Sequence, residues 1–189
     1  MRLTPRLRRV VITASIATAA ILLPAVALAS SAGTTTAANT AAVHRCYQSE
    51  LRAWLAIPGS GAAGSVYYEL ELSNVSAQTC TLYGYPGVSE LLNGSQSGSA
   101  AGRTASHPKT LVTLAPGATA HAILQITNVS VFGSAACQPV SATTLRVYPP
   151  GAIAALRVPF TVTACSKTGP VYLHVSPMIR GTGIPGYSI

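Results

Sequence analysis

Residues 66–92 read VYYELELSNVSAQTCTLYGYPGVSELL, and this stretch decides the fold. Val66, Tyr68, Leu70 and Leu72 alternate with Tyr67, Glu69, Glu71 and Ser73. A period of two among β-formers describes a half-buried strand, with its apolar side toward a core and its carboxylates toward water. Residues 74–78 are polar and turn-forming, so the chain reverses there. Cys80 and Leu82 open a second strand. Gly84-Tyr85-Pro86-Gly87 stops or bends it, because proline cannot donate to a β-ladder.

Working outward, the same alternation recurs. In residues 46–57, Leu51, Ala53, Leu55 and Ile57 share one face, with Glu50, Arg52 and Trp54 on the other. This predicts a first strand, and residues 58–64 form a Gly-rich loop after it. The strand holding Cys80 continues around residues 88–92. Residues 93–106 read as a long exposed loop and 110–114 as a strand, followed by an Ala115-Pro116-Gly117-Ala118 turn. Residues 119–127 follow as a strand with Ala120, Ala122, Leu124 and Ile126 inward and His121, Ile123 and Gln125 outward. A second long loop, 128–141, carries Cys137. Strands at 144–148 and 156–164 come next, the latter with Val158, Phe160 and Val162 inward. Val171, Leu173 and Val175 suggest a last short strand, and from Pro177 a Gly/Pro-rich tail begins. Seven to eight short strands with no helix predict an all-β protein, an immunoglobulin-like antiparallel β-sandwich.

The N-terminus reads as an export signal. Arg2, Arg6, Arg8 and Arg9 precede an apolar run, and Ala27-Leu28-Ala29 is a small-x-small cleavage site. Residues 1–29 are thus a signal peptide, with a retained anchor as the alternative reading. The Arg8-Arg9 pair leaves the twin-arginine route open beside the general secretory one. Residues 30–45 form a flexible linker, 46–176 the sandwich domain and 177–189 the tail. No membrane span remains after cleavage.

Charge narrows the partners. Four of the twelve basic residues lie in the signal, leaving eight against four acids. These eight are scattered singly, whereas a nucleic-acid surface clusters them among aromatics. The expected partner is therefore a protein or a cell-envelope ligand, not nucleic acid. In an exported chain, Cys46, Cys80, Cys137 and Cys165 imply two disulfides. Three pairings are open to four cysteines. If the strands alternate in direction, Cys46 and Cys80 lie at one end and Cys137 and Cys165 at the other, which favours Cys46–Cys80 with Cys137–Cys165.

Catalytic constellations are scarce. There is no aspartate; the acids are Glu50, Glu69, Glu71 and Glu90. Glu69 and Glu71 share a strand face at roughly 7 Å by strand geometry. Paired carboxylates could serve glycoside hydrolysis, but here they read as a solvated strand face. His44, His107, His121 and His174 show no metal-ligand spacing, so no metal and no cofactor are expected. No Gly-x-Ser-x-Gly elbow is present. Asn74, Asn93 and Asn128 each begin an N-x-S triplet and carry little weight. Trp54, Tyr67 and Tyr83 point outward and could bind a sugar or a protein, although cross-strand pairing explains them as well.

Several motifs together carry a resemblance. They are Gly61-Ala62-Ala63-Gly64, Leu72-Ser73-Asn74, the run from Cys80 through Tyr83 to Gly84-Tyr85-Pro86-Gly87, Leu114-Ala115-Pro116-Gly117, Cys137-Gln138-Pro139 and Val147-Tyr148-Pro149-Pro150 with Cys165. The chain resembles the uncharacterised domain-of-unknown-function family 4232 of secreted and lipid-anchored actinobacterial proteins, over most of residues 46–165. The resemblance implies an exported β-sandwich and brings no catalytic residues. The chain lacks a lipobox cysteine, which departs from the lipid-anchored members. The expected function is a secreted, non-enzymatic binding or interaction module at or outside the cell envelope. The alternative is a wall or glycan hydrolase using Glu69, Glu71 or Glu90 with a histidine.

Overall fold

The computed structural model describes residues 43–56 and 60–182. The expected signal peptide, most of the expected linker, Ile57, Pro58, Gly59 and the last seven residues lie outside them. Thirteen strands are present among the described residues: β1 (Leu51–Leu55), β2 (Ser60–Ala62), β3 (Ser65–Asn74), β4 (Cys80–Tyr83), β5 (Gly87–Leu92), β6 (Ser95–Ser97), β7 (Gly102–Arg103), β8 (Leu111–Leu114), β9 (Thr119–Thr127), β10 (Pro139–Tyr148), β11 (Leu156–Cys165), β12 (Leu173–Val175) and β13 (Ile179–Arg180). One helical turn, α1 (Ser134–Cys137), precedes β10.

The main sheet has the order β1-β3-β9-β12-β7, with β2 added to β3 and β13 to β9. The second sheet runs β11-β10-β5-β6, and β4 pairs with β8 apart from both. Every pairing is antiparallel except β7 with β12. Leu70 and Leu72 of β3, Leu124 of β9, Leu145 and Val147 of β10, and Leu82 and Leu114 of the small sheet form one fully buried core. Burial of each such side chain stabilises the fold by about 1.5–3 kcal/mol. The sheets establish an all-β antiparallel architecture with two disulfides. Strand count alone carried the immunoglobulin-like expectation, and the observed topology does not reach that far.

Turn chemistry explains the connections. Asn93 and Gly94, with φ of 50° and 83°, form a two-residue hairpin between β5 and β6. Positive φ at both positions is what a type I′ turn requires, and Asn-Gly supplies it. At Ala115-Pro116-Gly117-Ala118, proline presets φ, Gly117 takes φ 77°, and the Ala118 N–H closes on the Ala115 carbonyl at 2.9 Å. Asn74 pins this corner from inside. Its backbone N–H donates to the Ala118 carbonyl, and its side-chain amide donates to the Gln78 and Leu114 carbonyls at 2.7 and 3.0 Å.

Several expected boundaries move. The first strand spans only Leu51–Leu55, because a 3₁₀ turn at Gln48–Glu50 and a parallel bridge from Arg45 to Thr81 precede it. The two long loops contain structure: β6 and β7 in one, α1 and the start of β10 in the other. Val66, expected inward, is 36% exposed and lines a groove beside the turn between β2 and β3. Met178 is buried and β13 pairs with β9, so the main sheet runs past residue 176. Both disulfides join the cysteines that alternating strand direction brings together: Cys46–Cys80 at a Cα separation of 4.8 Å and Cys137–Cys165 at 4.5 Å.

Candidate functional site

Strand β1 forms one edge of the main sheet and β11 one edge of the second. Between them lies a groove of about 470 Å³. Trp54 and Leu55 of β1 wall one side, Val158, Pro159 and Phe160 of β11 the other, with Tyr68 of β3 also lining it. Tyr68 and Phe160 meet edge to face, with ring centroids 5.1 Å apart, a favourable aromatic geometry. Pro159 suits an edge strand, where its missing N–H costs no ladder bond. The described lining contains no carboxylate and no imidazole. A second groove, beside the turn between β2 and β3, is lined by Tyr68, Ile126, Asn128 and Val129 among others and is likewise free of carboxylates.

The glutamates are elsewhere, and Glu69 and Glu71 correct the sequence reading. They do face away from the core, but they are only 8% and 5% exposed. The reason is register. Strand β3 is interior, so Trp54 on one side and His121 on the other flank Glu71, and Ile123 stands beside Glu69. Burial raises the Glu71 carboxyl above its ordinary range, and the charge and hydrogen bonding of Glu69 beside it raise it further. His121, also read as outward, is 2% exposed. Its Nδ1 lies 2.7 Å from the Gly181 carbonyl, while Nε2 has no hydrogen-bond partner. Glu71 and His121 are register neighbours without a hydrogen bond between them.

Glu90 is fully buried. It sits on β5 between Leu145 of β10 and Ser97 of β6. The Tyr172 hydroxyl donates to its Oε2, and Oε1 has no partner. Burial pushes the Glu90 carboxyl up to about 7, against the lowering effect of the Tyr172 bond. Burial likewise raises the Tyr172 phenol, with Glu90 adding to it. Glu50 behaves oppositely. It accepts the Tyr47 N–H at 2.8 Å and lies 2.9 Å from His44 Nε2. The Tyr47 bond holds its carboxyl below the usual range, assisted by His44. This is the one histidine–carboxylate contact within hydrogen-bond reach among the described residues. It lies beside the Cys46–Cys80 bridge, not in either groove.

The remaining candidates scatter. Tyr83 is 56% exposed on the small sheet opposite Leu111, which is also exposed, while Tyr67 is half-buried on the outer face of the main sheet. Only Trp54 of the three outward aromatics reaches the groove. His174 packs beside Gly102, where a Cβ would come within 2.9 Å of its ring. Among the described residues, no three His, Cys, Asp or Glu side chains converge as metal ligands. Asn74 is fully buried with its amide engaged, which removes it as a glycan acceptor. The partnership of Glu90 with Tyr172, 82 residues apart, left no trace in sequence spacing.

No helix among the described residues is long and apolar enough to cross a membrane. No curated protein and no solved structure matches the chain. The chain belongs to the family described as domain of unknown function (DUF4232), whose model matches residues 46–178.

Proposed function

We propose that this domain is exported and acts as a non-enzymatic binding module at or outside the cell envelope. The observation that carries this reading is the aromatic groove between β1 and β11, walled by Trp54, Tyr68 and Phe160. Apolar and aromatic walls favour an extended ligand with apolar faces, a peptide or a sugar chain of the envelope. The two disulfides fit an oxidising compartment. The hydrolase reading divides its groups among separate places. Glu90 is sealed in the core, Glu69 and Glu71 lie on the outer face with no histidine bonded to them, and the Glu50–His44 pair stands apart.

The chain has a single tryptophan, and it lines the groove. Titrating the mature domain with soluble wall fragments and envelope-derived peptides while following Trp54 emission tests the reading. One class of fragment should shift the emission saturably, and Phe160→Ala should weaken it. Emission that no fragment changes, or binding untouched by Phe160→Ala, argues against the groove. Release of new reducing ends from wall polymer, abolished by Glu71→Gln, would favour the hydrolase instead.

A further inference from the structure

Cys165 is held differently from the other three cysteines. It faces Pro139 on β10 in a non-hydrogen-bonded pair, the next pair being closed by the Ser166 N–H on the Gln138 carbonyl, so the backbone groups of Cys165 point away from β10. Both backbone groups of Cys165 are taken by side chains, one from Tyr172 seven residues on and one from Ser97, 68 residues back. Its N–H donates to the Tyr172 hydroxyl at 3.1 Å, and its carbonyl accepts from Ser97 Oγ at 3.1 Å. Tyr172 is in turn fixed by the buried carboxyl of Glu90. Gly98 completes the enclosure: with φ 63°, a Cβ there would lie 2.5 Å from the Cys165 carbonyl oxygen.

The opposing half is set by the residues just after Cys165. Ser166 N–H donates to the Gln138 carbonyl at 3.1 Å, and Lys167 N–H to the Cys137 carbonyl at 3.3 Å. Lys167 Nζ donates to the Ala135 carbonyl at 3.1 Å. None of these contacts uses sulfur. At the Cys46–Cys80 bridge no side chain bonds the cysteines' own backbone groups among the described residues: Cys46 N–H donates to the Thr81 carbonyl at 2.9 Å, and next to it the His44 carbonyl accepts both the Thr81 N–H at 2.9 Å and Thr81 Oγ1 at 3.1 Å. A buried carboxyl contributes nothing to packing that leucine would not, and it costs desolvation. What this carboxyl supplies is its Oε2, which accepts the Tyr172 hydroxyl and so fixes the phenol against Cys165.

We propose that Glu90, Tyr172, Ser97 and Gly98 form an internal clamp that presents Cys165 to Cys137 before their disulfide closes, selecting this pairing over those with Cys46 or Cys80. Closure itself is ordinary exchange. The two thiols lose two protons and two electrons to a disulfide oxidant, which leaves as two thiols. The clamp acts by raising the effective concentration of one thiol at the other.

The test is oxidative refolding of the reduced mature chain in a glutathione buffer, with alkylation at timed intervals and peptide mapping. Tyr172→Phe should lower the early yield of Cys137–Cys165 about fivefold, the worth of one net hydrogen bond, while Cys46–Cys80 forms as in the wild type. Ser97→Ala, a milder change should Tyr172→Phe not fold, should act in the same direction. Val112→Ala, a core change at the small sheet, serves as the control for general destabilisation. Wild-type proportions of both disulfides in the two clamp variants, or the same selective loss in Val112→Ala, overturn the proposal.

Discussion

Removing the ionisable group of Glu90 should flatten the pH dependence of stability in a defined window. In the unfolded chain this carboxyl gives up its proton near its ordinary value of 4.5; in the folded protein it keeps it until about 7. Between those values the unfolded state binds fewer protons, so stability falls as pH rises. The contribution is fully present below about 4.5 and is lost as pH passes through about 7. A shift of that size corresponds to roughly 3 kcal/mol across the window. Tyr172 is the titratable group bonded to Glu90. The register neighbours are Leu145 and Ser97, β12 turns Leu173 and Val175 to the core, and Arg146 is occupied with Ser89 and Gln96. Urea unfolding with the disulfides intact, followed by Trp54 emission from pH 4 to 8, measures the effect. Wild type minus Glu90→Gln isolates it from Glu71, whose raised carboxyl contributes with the same sign, and from Glu50, whose lowered one contributes with the opposite sign. Parallel stability profiles for wild type and Glu90→Gln would refute the reasoning, because they would mean the folded protein ionises Glu90 as readily as the unfolded chain.

Other perturbations follow from the same structure. Replacing Cys46 and Cys80 by serine releases a 34-residue loop and should cost about 3–4 kcal/mol in the chain-entropy description, read from the denaturation midpoint. Gly98→Ala meets both a left-handed backbone and the Cys165 carbonyl, whereas Gly84→Ala meets only the backbone, at φ 97° with open space around it. The first should destabilise by at least about 1 kcal/mol more than the second; equal losses would remove the role given to close approach. Glu69→Gln withdraws the charge that adds to burial in raising Glu71, so the Glu71 carboxyl should titrate at lower pH by carbon NMR. An unchanged titration would assign the whole shift to burial.

The long strands were legible because their apolar residues alternate. In β9, Ala120, Ala122 and Leu124 are fully buried on the predicted face, and in β11 Val158 is buried as expected. Cysteine pairing was legible too, since strand direction alone brought the right ends together. What alternation cannot express is what stands beside a side chain on the same face. Glu69 and Glu71 read as wet, yet Trp54, Ile123 and His121 stand beside them from strands distant in sequence. Glu90 sits in a Val-Ser-Glu-Leu-Leu run whose neighbours mark a strand, but its partner Tyr172 is set by tertiary packing. Strands β6 and β7 are short and polar or Gly-containing, so neither periodicity nor propensity announces them. Asn93-Gly94 was a hairpin signal submerged in a Gly/Ser-rich stretch.

The two cystine loops follow one another along the chain without overlapping, 46 to 80 and then 137 to 165. Under tension applied at the two ends, each bridge short-circuits its loop. The 34- and 28-residue segments stay out of the extension, hiding about 200 Å of contour length at the reach of a stretched chain. Strands β5 to β9 lie between the bridges and β12 and β13 beyond the second, so these are the strands that tension can extend. A domain pulled from both ends would pay out length from its middle and its last strands while the two bridged loops stayed closed.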